Sequence, residues 1–386
     1  MSTAIDVLHP ASAAEVADCV QSALSSGHGL CTGRNEPVRE ESALPVRKLS
    51  LNRMSAVVDY PARDMTITVE AGMPVQELQQ VLAAENQQLP VDAFDPSISV
   101  GALVASDVAG PRQYGYGTLR DYVIGIEAVD GHGRIFHAGG RVVKNVAGYD
   151  LCRLMVGSRG SLGILTQVTF KLKPVPEHSL LLGFRFADAV SFETALECLN
   201  STAARPILMD FATDSPDETG LSDEPLAANA DRRHPVFSLT IGVEGTSAVC
   251  DWQADVIRQD CAGAQEFGGP GHPGWTVQEC CDNCSYGWMA EEIRLQVPPS
   301  RLAAAADELS GAGLSCAGHA GNGLLFVRPE RDPATARTVC DEIAACHHGT
   351  ASQWERDHPG VSVDPLSGKL RLALDPQAVF VPAVRR

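Results

Sequence analysis

Apolar residues recur at helical spacing near the start of the chain. Val16, Val20 and Leu24 fall on one face of a helix that Ser12 and Glu15 open as a capping box and that Gly27 and Gly29 close. Met65 to Glu70 alternates instead, with Met65, Ile67 and Val69 on one side, and predicts a strand. Pro74 then opens a helix carrying Val75, Leu78 and Leu82. Tyr122 to Asp130 predicts another strand, Asp130-Gly131-His132-Gly133 a hairpin turn, and Arg134 to His137 the returning strand. Leu151, Leu154 and Met155 suit the buried side of a short helix, and Ile164 to Leu172 alternates again until Pro174 and Pro176 stop it.

Those prolines mark a domain boundary at 176/177. Beyond it, Asp188 to Leu199, Ser247 to Ile257, Ser300 to Leu309 and Asp332 to Cys346 predict helices, the last with Asp332 as N-cap and Pro333 at the first helical position. Leu180 to Phe186, Val236 to Val243, Glu292 to Val297 and Leu324 to Val327 predict strands, which makes the second domain α+β. Thr213 to His234 is acidic and rich in Ser, Asp and Pro, and predicts a long loop. No internal repeat is evident.

Composition narrows the function classes. At 386 residues the chain exceeds one ordinary core. Its net charge of −18 repels nucleic acid and anionic lipid, and suits a basic protein partner. The opening MSTAIDVLHP lacks the basic and apolar parts of a secretory signal, and no stretch reaches the ~18 apolar residues of a membrane span. Twelve cysteines without the spacing of a disulfide framework read as reduced thiols, which implies a cytoplasmic location.

Glycines crowd the N-terminal half at positions 101, 110, 115, 117, 139, 140, 148, 157, 160 and 163. Loops of this kind let backbone amides cradle a pyrophosphate without a cation, and they also serve as plain turns in a β-rich domain. The order of the surrounding residues carries more information. Ser99-Val100-Gly101-Ala102-Leu103-Val104-Ala105-Ser106-Asp107-Val108-Ala109-Gly110 leads to Tyr114-Gly115-Tyr116-Gly117 and then Arg120-Asp121-Tyr122. Gly139 to Gln167 reads GGRVVKNVAGYDLCRLMVGSRGSLGILTQ.

These motifs resemble the vanillyl-alcohol-oxidase family of PCMH-type FAD-binding proteins, and within it the FAD-binding E subunits of glycolate oxidases. The resemblance covers the first half, and thins beyond it to a tail, Leu374-Asp375-Pro376 to Phe380-Val381-Pro382. It implies an α+β fold: an FAD domain at 1–176 with subdomains of about 1–58 and 59–176, and a ferredoxin-like cap at 177–386 whose tail returns to the FAD domain. It implies non-covalent FAD held by Thr32, Gly33, Arg34 and Asn35, by Ser99, Gly101, Ser106, Asp107 and Gly110, and by Gly157, Gly160, Gly163 and Ile164. It implies oxidation of glycolate or another 2-hydroxy acid by hydride transfer to flavin N5. The partners would be a second flavoprotein subunit and an iron–sulfur subunit, and any membrane association would run through them.

Of three departures, the phosphate loop and the tail support a different reading, an accessory assembly subunit with weak or lost FAD binding. The phosphate loop is reduced to Thr32-Gly33-Arg34-Asn35, the second of the family's paired glycines is Ala102, and the tail has Val381-Pro382-Ala383. A flavin-dependent reductase of cell-wall precursors shares the N-terminal fold but fits the Asn145 to Thr166 block less well. Two residues are candidates for catalysis. Arg294, on a predicted strand, suits a substrate carboxylate or an ion pair with Glu291 or Glu292. His319, in Gly318-His319-Ala320-Gly321-Asn322-Gly323, resembles a Gly-His-Ala-Gly-Asp-Gly motif of related 2-hydroxy-acid flavoproteins in which the histidine could act as a base; a glycine-rich turn explains it nearly as well. Cys280-Cys281-Asp282-Asn283-Cys284 reads as free thiols rather than a metal site, because three ligands so close together cannot easily share one tetrahedral ion.

Overall fold

The computed structural model describes residues 7–32, 45–93, 96–107, 110–140, 150–213, 236–267, 277, 281, 292–327, 329, 332–353 and 365–381. The loop expected at 213–234, except Thr213, and the cysteine cluster at 280–284, except Cys281, lie outside the described residues, as do Gly33, Arg34 and Asn35. The chain is α+β and divides into two compact units. The first holds residues 1–109, 118–175 and 358–386; the second holds 110–117 and 176–357. The second unit therefore takes an eight-residue excursion, Gly110–Gly117, out of the sequence expected to be wholly FAD domain.

The first unit begins with a small parallel sheet in the order β1-β3-β2, formed by β1 (Val7–Leu8), β2 (Gly29–Thr32) and β3 (Val46–Leu49). Helix α1 (Ala13–Ser26) lies between β1 and β2 in sequence. It is capped by Ser12 and ended by left-handed Gly27, and it buries Val16, Val20 and Ala23. Phe380 adds a parallel bridge to Leu30, so the C-terminal segment extends this sheet. Val379 and Phe380 share a core with Val16, Val20, Leu30, Leu49 and Ile164.

The second sheet of this unit has the order β4-β5-β9-β7-β8 and is antiparallel throughout. Its strands are β4 (Val57–Asp59), β5 (Thr66–Glu70), β7 (Val123–Val129), β8 (Ile135–Gly139) and β9 (Ile164–Lys171). A short pair, β6 (Gln87–Gln88) with β10 (Lys173–Pro174), follows helix α2 (Val75–Ala83). Met65, expected in the strand, instead caps the preceding turn at φ 54°. The predicted strand thus begins one residue late, because a left-handed residue cannot extend a ladder.

The second unit carries one eight-stranded antiparallel sheet, and its topology is a repeat that the sequence does not display. The strands are β11 (His178–Phe186), β12 (Leu208–Thr213), β13 (Phe237–Gly245), β14 (Gln265–Phe267), β15 (Ile293–Gln296), β16 (Cys316–His319), β17 (Leu324–Val327) and β18 (Thr350–Gln353). Their order is β14-β11-β13-β12-β16-β17-β15-β18. Helices Ala189–Asn200 and Ser247–Asp260 lie within the first four strands in sequence, and Leu302–Gly311 and Pro333–Cys346 within the last four. Each half is a β-α-β-β-α-β ferredoxin-like module, and the halves join edge to edge through β12 and β16. The helices bury one face of this sheet, against Leu182, Phe184, Phe211, Leu239, Ile241, Leu295 and Leu325.

Candidate functional site

In the first unit, helix α3 (Val100–Ser106) organises the glycine-rich segments. Ser99 caps it by accepting the Ala102 amide at 3.2 Å. The amides of Val100 and Gly101 donate to the carbonyls of Met73 and Ala71 at 2.8 and 2.7 Å. A Cβ on Gly101 would stand 3.0 Å from the Ala71 Cβ and carbonyl oxygen. The leading amides of α3 are therefore spent on docking it against Ala71–Met73. The Gly101 amide is thus engaged within the fold, and packing against Ala71 requires the glycine.

The other end of α3 meets the turn before β9. Ser106 Oγ donates to the Leu103 carbonyl at 3.1 Å, and Asp107 closes the helix in the left-handed region at φ 49°. Asp107 Oδ2 pairs with Arg120 Nε at 3.3 Å. The amides of Gly157 and Arg159 donate to Val104 and Ala105 at 3.0 and 2.8 Å, which ties the turn to the helix end. Gly157, Arg159 and Gly160 have φ of 78°, 54° and 71°, so three of four successive residues are left-handed.

Two observations fit this turn to a phosphate- or hydroxyl-bearing cofactor. The Ser158 hydroxyl is buried with no hydrogen-bond partner among the described residues. A Cβ on Gly160 would meet only Thr32 Oγ1, at 3.2 Å, so a side chain here would fill the space beside the Thr32 hydroxyl. Thr32, Ser106, Asp107, Gly157 and Gly160 are thus brought together. Ser158 joins them unforeseen, and its signal in the sequence is a polar residue next to a left-handed glycine. The remaining expected positions fall elsewhere. Ser99 and Gly101 lie toward the far end of α3, about 10 Å and about 8 Å from Ser106 at ~1.5 Å per residue. Gly163 lets β9 start against β7, since a Cβ there would sit 3.0 Å from the Val129 carbonyl oxygen. Ile164 is a core residue, 2% exposed. Gly110 belongs to the second unit, where its carbonyl accepts the Gln113 amide at 3.1 Å.

In the second unit the strand register sorts side chains by face. Phe211, Leu239 and Leu325 face the helices, so their neighbours Asp210, Thr240, Leu324 and Phe326 take the opposite face. His319 pairs with Asp210 and with Leu324, and Arg294 pairs with Phe326 and Ser352. Both catalytic candidates therefore occupy the face opposite helices Ala189–Asn200, Ser247–Asp260, Leu302–Gly311 and Pro333–Cys346, two strands and one row apart. At ~4.8 Å per strand and ~6.8 Å per row their backbones are about 12 Å apart. Arg294 is exposed, whereas His319 is 2% exposed. His319 Nδ1 lies 2.8 Å from Asp210 Oδ1, and its ring meets Phe326 edge-on at 5.8 Å. Glycines of the motif have local causes: Gly323 is left-handed at φ 67°, and a Cβ on Gly321 would enter the ring of Tyr114.

Among the described residues no three His, Cys, Asp or Glu side chains gather as a metal site. Burial pushes the thiols of Cys152 up to about 11 and of Cys261 and Cys340 up to about 12, so they are protonated at neutral pH.

Residues 5–139 match the family described as FAD binding domain. The glycolate oxidase subunit GlcE of Escherichia coli (strain K12) is 41% identical over 128 residues, 33% of this chain and 37% of that protein. The D-2-hydroxyglutarate dehydrogenase of Xanthomonas citri pv. viticola is 29% identical over 329 residues, 78% of this chain and 66% of that protein. The glycolate oxidase subunit GlcD of Bacillus subtilis (strain 168) is 38% identical over 146 residues, 37% of this chain and 31% of that protein. The matches thus span less than two thirds of these curated relatives. Among solved structures, alkyldihydroxyacetonephosphate synthase matches 97% of this chain and 75% of its own, with a TM-score of 0.71 at 18% identity, a likeness of fold. The chain is an α+β protein with the PCMH-type FAD-binding fold, and its residues 5–139 match the FAD binding domain family.

Proposed function

We propose that the chain is the FAD-binding subunit of an oxidoreductase that converts glycolate, or another small 2-hydroxy acid, to the 2-oxo acid. Its relatives are named for glycolate, D-2-hydroxyglutarate and D-lactate. The observation that carries the reading is the turn Gly157–Gly160, where a left-handed backbone, a buried Ser158 hydroxyl without a partner among the described residues, and Thr32 converge. Thr32, Ser158 and the Gly160 amide would hold FAD non-covalently, with Gly33, Arg34 and Asn35 following Thr32 in the chain. When bound, FAD supplies the hydride acceptor, N5 of its isoalloxazine. Arg294 would bind the substrate carboxylate through its guanidinium fork. His319 would accept the proton of the 2-hydroxyl group.

A multi-subunit assembly accompanies this reading. Electrons would leave through a second flavoprotein subunit and an iron–sulfur subunit, and the −18 charge suits a basic partner face. No helix among the described residues is long and apolar enough to cross a membrane. The accessory-subunit reading has its own support in the leading amides of α3, which are consumed within the fold.

The visible spectrum of purified protein, before and after acid precipitation, separates the two readings. Oxidised-flavin bands released by acid are expected. Colourless protein that takes up no added FAD favours the accessory role. Turnover of glycolate or lactate with a dye acceptor, and its loss in Arg294→Met with FAD retained, tests the substrate site.

A further inference from the structure

We propose that Asp210 is a positioning residue, holding the His319 imidazole in the tautomer with its proton on Nδ1. The proposal deepens the reading of His319 as proton acceptor and rests on it for its kinetic consequence alone.

The pairing of β12 with β16 sets Asp210 directly opposite His319, and the carboxylate oxygen lies 2.8 Å from Nδ1. The two side chains are 6% and 3% exposed. An ionised carboxylate can only accept, so the bond requires a proton on Nδ1. A neutral imidazole held this way has Nε2 as its basic nitrogen. Phe326 fixes the ring further, meeting it edge-on at 83°.

The join between the two ferredoxin-like modules does not depend on this pair. Thr213 Oγ1 accepts the Cys316 amide at 3.0 Å and donates to the Cys316 carbonyl at 3.2 Å, all of it buried. Phe211 with Gly318, and Ala212 with Ala317, continue the ladder. Burying a carboxylate beside an imidazole costs more than packing two apolar side chains of like size. A histidine–aspartate pair at a seam already fixed by other bonds points to a role in orienting the ring.

The test uses the full chain, with any co-purifying partners, labelled with nitrogen-15 in its histidine rings. The His319 signals are identified by their loss in His319→Gln. Nitrogen–proton correlation spectra of the parent should show neutral His319 protonated at Nδ1. Asp210→Asn should shift His319 toward the Nε2-protonated form. Dye-coupled kcat should fall about 10²-fold or more in that variant, with KM little changed, the scale of a misplaced general base. Asp210→Glu, which keeps the carboxylate, should restore the parent tautomer and part of kcat, and it replaces Asp210→Asn if that variant does not fold. A parent ring protonated at Nε2, or a tautomer indifferent to both substitutions, overturns the proposal. Unchanged kcat in His319→Gln sinks the catalytic reading instead, and the ring spectra still decide the role of Asp210.

Discussion

Ser158→Ala should strengthen the empty protein while weakening its hold on FAD. Most substitutions at buried positions destabilise, so an opposite sign is diagnostic. The Ser158 hydroxyl is enclosed and donates to none of the described residues, while its own carbonyl accepts the Ser161 hydroxyl at 2.6 Å, a bond that alanine keeps. An orphaned buried hydroxyl costs about 1–3 kcal/mol of desolvation. Its removal should raise the stability of flavin-free protein by roughly 1 kcal/mol, after allowing for the small void left behind. The same hydroxyl, bonded to a phosphate or sugar oxygen of FAD, contributes about 1–2 kcal/mol. Its loss should weaken FAD binding about tenfold, at ~1.4 kcal/mol per factor of ten. Urea unfolding of stripped protein gives the first quantity, and quenching of flavin fluorescence on titration gives the second. A flavin-free variant less stable than the parent, or one that binds FAD equally well, refutes the assignment of this turn.

Gly160→Val places a β-branched residue at φ 71°, a strain of about 1–3 kcal/mol that a two-unit fold should survive. It should yield folded protein without flavin absorbance, checked by circular dichroism beside the visible spectrum. Asp375 accepts the amides of Val379 and Phe380 at 2.8 and 2.9 Å, yet burial holds its carboxyl above the ordinary range. The folded state therefore keeps this proton more tightly than the unfolded chain. Its stabilisation is full below the ordinary carboxylate pKa and is lost as pH rises through the raised value. Urea midpoints from pH 4 to 7 should decline in the parent relative to Asp375→Asn; parallel profiles would contradict this. Gly321→Val intrudes on the ring of Tyr114, and chymotrypsin should then cut within Gly110–Gly117, where the parent resists.

Local pattern revealed what local forces build. Helix α1 was legible because its apolar stripe and both caps lie within Ser12 to Gly27, and β9 because its residues are stopped by nearby prolines. Met65 misled, since an apolar residue in phase with Ile67 and Val69 proved to be a left-handed cap. Strand β12 escaped notice because all six of its residues are buried, which erases alternation. Helix α3 was hidden by Gly101, whose place is set by Ala71, thirty residues upstream. The doubling of the ferredoxin-like module left no trace, because equal topology needs only equal placement of apolar faces. In the site, Thr32, Asp107, Gly157 and Gly160 were readable from motif order. Asp210 was not, because its partner His319 lies 109 residues away and only strand register joins them.

The strand that Phe380 contributes beside Leu30 carries a consequence for biogenesis. Domains usually fold in the order in which the ribosome releases them, the N-terminal one first. Here the strand Gly29–Thr32 lacks its bridge to Phe380 until residue 380 has been translated, long after both ferredoxin-like modules are complete. The earliest-made portion of the chain is then the last to be sealed. Truncation before Phe380 would strike first at the small sheet of residues 7–49.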